Sequence, residues 1–238
     1  MQPDSPLTLA AAQITSAPGD VDANAEAHLR VMEAAADAGV DVLIFPELSL
    51  TGYELALADA LQTSLDDERL LPLQTLAAKA GMLTKVGMPM RARSGKPYLG
   101  ALVLGGVVPR LYAKMHLHDS ETDYFQPGND YGTFVHKGAA VAAAICADLT
   151  HASHAAGCKA LGADIYAVGA LINEAAWARE EPLLAGYARE HGMAVIFANH
   201  ASQSGDHKPV GMSSIWAPGG DLVARADSTE ETLVVAEL

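Results

Sequence analysis

The chain has 238 residues, of which half are apolar and 18% are charged, so it is typical of a globular protein rather than a disordered one. Its 15 basic and 29 acidic residues give a formal net charge of −14. Because no lysine- or arginine-rich stretch interrupts this acidity, we expect no nucleic-acid partner and no membrane partner. No apolar run approaches the roughly 18 residues of a membrane span, and residues 1–6 lack the features of a signal peptide. Two cysteines make no disulfide framework, so we expect a reducing cytoplasm. We also expect a single domain over residues 1–238.

Short apolar runs alternate with helical stretches along the chain. In the helix that begins near Asn24, apolar residues recur at spacings of four, three and four, and a glycine follows this helix and the next. Three later strands follow one another without helices, which predicts antiparallel pairing. In chain order, the first half is predicted to contain a strand at 7–14, a helix at 24–38, a strand at 41–45, a helix at 67–80 and strands at 85–90, 99–104 and 107–112.

The second half continues this alternation. Cys146 follows an apolar run from Ala139 to Ile145 that we predict to be a strand, and no repeat or linker divides the chain. Strands mixed with helices from end to end indicate one layered α/β domain, built on a mixed sheet or on two packed sheets. The remaining predicted elements are a helix at 153–161, a strand at 164–169, a helix at 174–192, a strand at 194–198 and two or three strands within 213–237.

Three polar side chains that follow apolar runs suggest a catalytic site. A strand that delivers Cys146 into a turn before a helix presents its thiol at a sheet edge, near N–H groups that favour negative charge. Glu47 ends a second apolar strand, and Lys114 lies among apolar and aromatic residues. These residues could be a nucleophile, a base and a cation. The alternatives are that Cys146 is a small buried apolar residue and that Lys114 is a charge protecting an edge strand.

The segments around these residues resemble motifs of the nitrilase, or carbon–nitrogen hydrolase, superfamily. The three catalytic segments are Phe45–Tyr53 (FPELSLTGY), Tyr112–Leu117 (YAKMHL) and Ile145–Asp148 (ICAD). Their order and separations fit, and the resemblance runs from about residue 7 to the end of the chain. Supporting matches are AAQI at 11–14, the stretch from Glu121 through YFQPG at 124–128, GAD at 162–164, ANH at 198–200, GMSSI at 211–215 and PGG at 218–220.

This resemblance implies a fold, a site and an assembly. The fold would be a four-layer αββα sandwich, and the protein would be a homodimer or a larger homo-oligomer. The catalytic triad would be Glu47, Lys114 and Cys146, and a second glutamate would be Glu121, four residues before the phenylalanine of the Tyr-Phe-x-Pro-Gly stretch. No cofactor and no metal would be needed. Because Glu121 lies in an acidic, polar segment, a solvated loop is the alternative for it.

The chemistry of these residues suits the hydrolysis of a non-peptide C–N bond in a small amide. Attack by a thiolate divides the reaction into formation and hydrolysis of a thioester, with release of ammonia. A free thiol has a pKa of roughly 8.5, so Glu47 would take its proton. Lys114 and the N–H of Ala147 would stabilise the oxyanion, and Glu121 would orient Lys114 or the substrate. A nitrilase or an N-carbamoyl hydrolase would use the same triad.

The substrate pocket is expected to include four residues near these motifs. Many members of the superfamily carry an aromatic residue where this chain has Ala147, and a Phe-Pro-Glu with a later arginine where it has His151-Ala152-Ser153. The departure leaves the substrate open and puts ω-amides of dicarboxylic acids in doubt, since these need a fixed cation. The expected substrate-binding residues are Tyr53, Ala147, His151 and His154.

The histidines suggest a different class of enzyme. His116 and His118 form H-x-H, His151 and His154 form H-x-x-H, and Asp148 lies between the pairs, a set that could hold a transition metal in a metallohydrolase. We favour no metal, because His116 already belongs to a superfamily motif. Asp148 could instead cap the following helix. A non-catalytic binding protein on the same scaffold is a third class, which the intact triad argues against.

Overall fold

Residues 6–238 of the chain, which the computed structural model describes, form two six-stranded mixed sheets that pack face to face, with helices on their outer surfaces. The two packed sheets with helices outside them confirm the expected αββα sandwich. The structure does not describe residues 1–5. These residues are the start of the expected domain and most of the segment 1–6 that we expected not to be a signal peptide. Among residues 6–238, no helix has the length and apolar character to cross a membrane.

The first sheet is built from the first half of the chain and its last strand. Its elements are β1 Thr8–Gln13, α1 Val21–Asp37, β2 Val42–Ile44, the short helix α2 Ala58–Leu61, α3 Leu71–Ala80, β3 Leu83–Met90, β4 Tyr98–Leu104, β5 Arg110–Ala113 and β12 Thr232–Glu237. The strand order is β12-β1-β2-β3-β4-β5. Strands β1, β2 and β3 run parallel, while the other neighbours pair antiparallel. Helices α1 and α3 pack on the outer face through Met32 and Leu73, which are fully buried against the strands.

The second sheet is built from the second half of the chain. Its elements are β6 Thr133–His136, β7 Ala139–Ile145, α4 Ala152–Ala160, β8 Ile165–Ala170, α5 Glu174–His191, β9 Ala194–Asn199, β10 Ser214–Trp216 and β11 Leu222–Arg225. The strand order is β11-β10-β9-β8-β7-β6, in which β7, β8 and β9 run parallel. Helices α4 and α5 cover the outer face with Cys158 and Leu184. Cys158 is fully buried, as expected of a structural cysteine.

The inner faces of the two sheets meet in one apolar core, to which Ile44 and Ile145 contribute from opposite sides. Two glycines allow close packing around the segment that follows β2: Gly169 of β8 lies against it from the second sheet, and Gly87 of β3 lies against it within the first sheet. A Cβ atom on Gly169 would lie 2.4 Å from the carbonyl oxygen of Phe45, and one on Gly87 would lie 2.4 Å from the amide nitrogen of Leu48. The segment that follows β2 is therefore held directly against the second sheet.

The observed elements differ from the predicted ones at several places: the short helix α2 was not predicted, α1 begins at Val21 rather than near residue 24, and α3 begins at Leu71 rather than at 67. Strand β6 was not predicted, and the strand expected from Val107 begins at Arg110 instead. Val107 and Val108 lie in the turn before it and are exposed, with relative accessibilities of 102% and 63%, so their β-branched side chains mark no strand. The tail forms three strands, of which β12 joins the first sheet beside β1.

A methyl group at the point of closest approach should destabilise the sandwich. Gly169→Ala would place a Cβ atom against the carbonyl of Phe45, so we expect unfolding free energy to fall by about 1–3 kcal/mol in urea titrations. Gly186→Ala is the matched control, because Gly186 lies inside α5 and has open space around it. That control should stabilise the protein by about 0.5–1 kcal/mol. Equal midpoints for Gly169→Ala and wild type would contradict the close approach.

Candidate active site

Cys146 lies where strand β7 ends and a 3₁₀ turn begins. Its φ angle of +42° is in the left-handed region, which non-glycine residues adopt rarely and at a cost in energy. The sharp turn sends the partly exposed thiol toward the carboxyl ends of the strands, and its Sγ atom lies 3.9 Å from the carbonyl oxygen of Leu171. A strained residue at a strand end is a common feature of functional sites.

A buried group of ions lies beside this cysteine. Lys114, which follows β5, donates from Nζ to Oε1 of Glu47 at 2.6 Å and to Oε1 of Glu121 at 2.7 Å. Glu121 also accepts a hydrogen bond from the hydroxyl of Tyr53 at 2.7 Å and one from the main-chain N–H of His118 at 2.8 Å. Lys114 and both glutamates are almost completely buried. The structure thus brings together Glu47, Lys114 and Glu121, and a solvated loop does not describe Glu121.

Burial and charge set the protonation of this group. Burial raises the pKa of Glu47 to about 7, and the charge of Glu121 acts in the same direction while Lys114 opposes it. Burial lowers the pKa of Lys114, but the negative charges of Glu47 and Glu121 outweigh it and raise that pKa above its usual value. Lys114 therefore stays a cation, and Glu47 can accept a proton near neutral pH.

The thiol itself rests in its protonated form. Burial raises the pKa of Cys146 well above its usual value, the charge of Glu47 adds to this effect, and Lys114 opposes it. The N–H groups at the turn, which we expected to favour a thiolate, do not overcome the burial. Oε2 of Glu47 has no hydrogen-bond partner among residues 6–238, so one carboxylate oxygen is free to accept a proton.

The main chain of Glu47 is held from the second sheet. Nε2 of His200, which follows β9, lies 2.7 Å from the carbonyl oxygen of Glu47. Burial lowers the pKa of His200 to about 4, so its ring is neutral and donates this hydrogen bond from Nε2. The histidine of the ANH stretch thus connects the end of one sheet to the glutamate at the end of the other.

The cysteine faces a cleft with a volume of roughly 350 Å³. Cys146, Tyr53 and Glu121 line it together with residues from the first turns of helix α5. Predicted residue Tyr53 is therefore at the cleft. The residues from α5 and the loops belong to no motif and were not predicted, apart from His118, which was considered only as a metal ligand. These further lining residues are His118, Leu171, Ile172, Asn173, Ala175, Ala176, Arg179, Glu180 and His207.

Asp148 connects the 3₁₀ turn Cys146–Thr150, the cysteine turn, to the segment that follows Lys114, the lysine loop. Its Oδ1 accepts from the main-chain N–H of His116 and lies 2.9 Å from Nδ1 of the same residue. Its Oδ2 accepts from the N–H of Ile145 at 3.0 Å and from the hydroxyl of Tyr112 at 2.6 Å. Although burial acts to raise it, hydrogen bonds from His116 and Tyr112 lower the pKa of Asp148. Asp148 therefore braces the cysteine turn, and α4 begins after His151 rather than after Asp148.

Three of the four expected pocket residues do not line the cleft, which corrects the prediction. His154 is fully buried behind the cysteine, between the hydroxyls of Tyr112 at 2.8 Å and Tyr166 at 2.9 Å. His151 stacks on His116 at 3.9 Å between ring centroids, outside the residues that line the cleft. The turn that Asp148 holds points the start of α4 away from the cleft. Ala147, directly after Cys146, is also not among the cleft-lining residues within 6–238.

The histidine pairs do not form a metal-binding group in this part of the chain. Across residues 6–238, no three histidine, cysteine, aspartate or glutamate side chains are arranged to hold a metal ion. His116 and His154 instead flank Asp148, as partners of the hydrogen-bond network that includes Tyr112.

The two packed sheets and their outer helices match the fold of a solved amidase from the nitrilase superfamily. A solved structure of a cysteine-to-alanine mutant of the amidase from Nesterenkonia AN1, itself from that superfamily, superposes with a TM-score of 0.88 at 24% identity, covering 98% of this chain and 91% of the other. The same amidase mutant in complex with butyramide gives a TM-score of 0.87. At this identity the likeness shows the fold.

The sequence comparison then identifies the family. The model of the carbon-nitrogen hydrolase family matches residues 8–238, so the chain belongs to this family. It is 31% identical over 206 residues to a glutamine-dependent NAD(+) synthetase of Xylella fastidiosa, covering 81% of this chain but only 37% of that protein. It is 27% identical over 238 residues to "Hydrolase in pqqF 5'region" of Pseudomonas protegens, covering 98% of this chain and 82% of the other.

The protonation of Glu47 should control the reactivity of Cys146. Because Glu47 accepts a proton only when ionised, the rate at which iodoacetamide alkylates Cys146 should increase as pH rises through about 7. Glu47→Gln should slow the reaction by about 100-fold and remove the inflection. Mass spectrometry measures the rate of alkylation. Cys158 is the unreactive internal control, because burial raises the pKa of its thiol to about 12.

The matched control for this substitution is Glu54→Gln, which neutralises the next carboxylate along the same loop. It should leave both the rate and the pH profile of Cys146 alkylation unchanged. The same pH profile in Glu47→Gln and in wild type would show that Glu47 is not the base for the thiol.

Proposed function

We propose that this protein hydrolyses the C–N bond of a small amide, with Cys146 as the nucleophile. The observation that carries this proposal is the contact of buried Lys114 with Glu47 and Glu121 beside a cysteine that opens into a cleft. A permanent cation, a carboxylate whose pKa is about 7 and a thiol supply the three functions that amide hydrolysis through a thioester requires.

Glu47, Lys114 and Cys146 divide the steps of the proposed reaction among them. Glu47 takes the proton of the thiol while Sγ of Cys146 attacks the carbonyl carbon, and the carbonyl oxygen becomes an oxyanion. Lys114, together with the N–H of Ala147, stabilises this oxyanion. Glu47 then gives its proton to the nitrogen, the C–N bond breaks, and ammonia leaves a thioester on Cys146. Finally Glu47 takes a proton from water, which attacks the thioester; the C–S bond breaks, a carboxylic acid leaves, and Glu47 returns its proton to Sγ of Cys146.

Glu121 acts in this proposal through Lys114. Its Oε1 accepts from both Lys114 and Tyr53, and its Oε2 is held by the N–H of His118. A lysine side chain has many rotamers, and two charged partners restrict its ammonium to one position. Glu121 thus orients the cation that meets the oxyanion, and Tyr53 orients Glu121 while it also lines the cleft.

The cleft favours a small substrate without net charge. Its walls include the apolar side chains of Leu171, Ile172 and Ala176, which suit a short aliphatic acyl group. Arg179 and Glu180 carry opposite charges at the same cleft, so neither an anionic nor a cationic group gains from both. The amidase with the similar fold was solved in complex with butyramide, which is a compound of this kind.

A zwitterionic amide is the second candidate, and the same charges suggest it. Arg179 could bind a carboxylate and Glu180 an ammonium group, as in glutamine. Glutamine is also the compound on which the NAD(+) synthetase of Xylella fastidiosa depends. This chain spans only 37% of that protein. Nitrile and N-carbamoyl hydrolysis would use the same three catalytic residues.

A panel of compounds tests this function. We expect wild type to release ammonia from butyramide or glutamine, and Cys146→Ala to release none, because no thioester can form. Lys114→Met should lower kcat by about 100-fold or more, as the loss of an oxyanion donor does. Cys158→Ala is the control and should keep full activity. The panel includes butyronitrile and N-carbamoyl glycine to detect the other two reactions.

The same assay separates the remaining classes of function. Turnover that survives in Cys146→Ala and disappears with a chelator would replace the triad with metal-dependent hydrolysis. Absence of turnover across the panel, together with tight binding of one of its members, would support a binding protein on this scaffold.

The two candidate substrates predict different effects on KM when Arg179 or Glu180 is changed. If glutamine is the substrate, Arg179→Met and Glu180→Gln should each raise KM for it about 10-fold or more, as expected for loss of a charged hydrogen bond. If butyramide is the substrate, both variants should leave its KM within about twofold. Glu181→Gln is the matched control on the same helix, since Glu181 pairs with Arg225 at 2.9 Å. An unchanged KM for glutamine in both variants would exclude the zwitterion site.

A further inference from the structure

A second buried lysine, Lys85, crosses the space between the two sheets. It lies in β3 of the first sheet with 2% of its surface exposed. Its Nζ atom donates to the carbonyl oxygen of Ala144 at 2.8 Å and to that of Ala167 at 3.0 Å, and these residues lie in β7 and β8 of the second sheet. Both partners are main-chain carbonyls rather than carboxylates. A buried ammonium with no carboxylate partner is costly, so its presence in an apolar core needs an explanation.

The position of Lys85 relates it to both halves of the site. The base and the nucleophile belong to different sheets, since Glu47 follows β2 and Cys146 follows β7. Lys85 is paired with Ile44 at the end of β2, and its carbonyl oxygen accepts from the N–H of Phe45 at 2.9 Å. Ala144, which its side chain binds, is two residues before Cys146. One residue thus contacts the strand that leads to the base and the strand that leads to the nucleophile.

We propose that Lys85 is a positioning residue, whose side chain braces the two sheets and holds the strand before Cys146 at the distance from Glu47 that proton transfer requires. This inference rests on the thiol chemistry proposed above. It assigns Lys85 no contact with the substrate or with the reacting atoms. The effect should therefore appear in the chemical step and not in substrate binding.

The chemistry of the amine fits this role in both of its protonation states. Burial lowers the pKa of Lys85 to about 7, while the charges of Asp148 and Glu47 act to raise it. A neutral amine still has two N–H donors, which match the two carbonyls. The brace therefore survives loss of the proton, and an apolar side chain of the same length would not replace it.

The test compares Lys85→Met with Val86→Ala. Methionine has a similar length and no donor, so we expect a folded variant whose kcat for ammonia release is lower by about 10- to 100-fold, with KM unchanged. The rate of Cys146 alkylation by iodoacetamide should fall in parallel. Val86 is the next residue of β3 and packs on the opposite face against the helices. Val86→Ala should lower the urea midpoint while it leaves kcat and the alkylation rate within about twofold.

A second variant serves if Lys85→Met does not fold. Lys85→Gln keeps N–H donors, but its amide ends one bond short of Nζ, so kcat should fall by a smaller factor with KM again unchanged. Wild-type kcat and alkylation rate in a folded Lys85→Met or Lys85→Gln would overturn the brace, as would an equal loss of kcat in Val86→Ala. If wild type hydrolyses no compound of the panel, the proposed function fails, and the alkylation rates still decide the inference.

Discussion

The contact of Lys114 with Glu47 and Glu121 is the interaction on which the site depends. Three charges removed from water are stable only when they satisfy one another, and here one ammonium donates to two carboxylates at 2.6 and 2.7 Å. Burial raises the pKa of Glu47 to about 7, and the charge of Glu121 adds to this effect while Lys114 opposes it. The burial that these contacts make tolerable therefore also prepares a base for the thiol.

The two-sheet architecture explains why so few residues build this site. Parallel strands end at the same edge of a sheet, and packing two sheets brings two such edges together. Glu47 and Lys114 come from the first sheet, and Cys146 comes from the second. The relative position of the sheets thus decides the geometry, and Gly169, His200 and Lys85 all act at the contact between them.

The sequence predicted the parts of the site whose position is set locally. Glu47 and Cys146 each follow a predicted strand closely, so the continuous apolar runs before them place both residues at a sheet edge. Arg179 and Glu180 could not be predicted, because they reach the cleft only when α5 packs over the second sheet. His154 was misplaced for a related reason. The hydrogen bonds that fix Asp148 come from Tyr112 and His116, which are distant in sequence, as well as from nearby Ile145.

The fold shows the same division between local and distant causes. Strand β6 has four residues and no strong pattern, and its pairing with β7 alone defines it. The β-branched residues Val107 and Val108 predicted a strand, but they lie exposed in a turn. The expected homodimer, the cytoplasmic location and the extent of the domain over residues 1–238 remain predictions from the resemblance and the composition.

The most direct test of the account is acyl transfer from butyramide, or from glutamine if that is the substrate, to hydroxylamine. A thioester on Cys146 can react with hydroxylamine instead of water. The account predicts that hydroxamate replaces carboxylic acid as hydroxylamine is added, in proportion to its concentration, and that Cys146→Ala forms neither product. Continued release of ammonia with carboxylic acid as the sole acyl product would show that water attacks the amide directly, and would contradict the account.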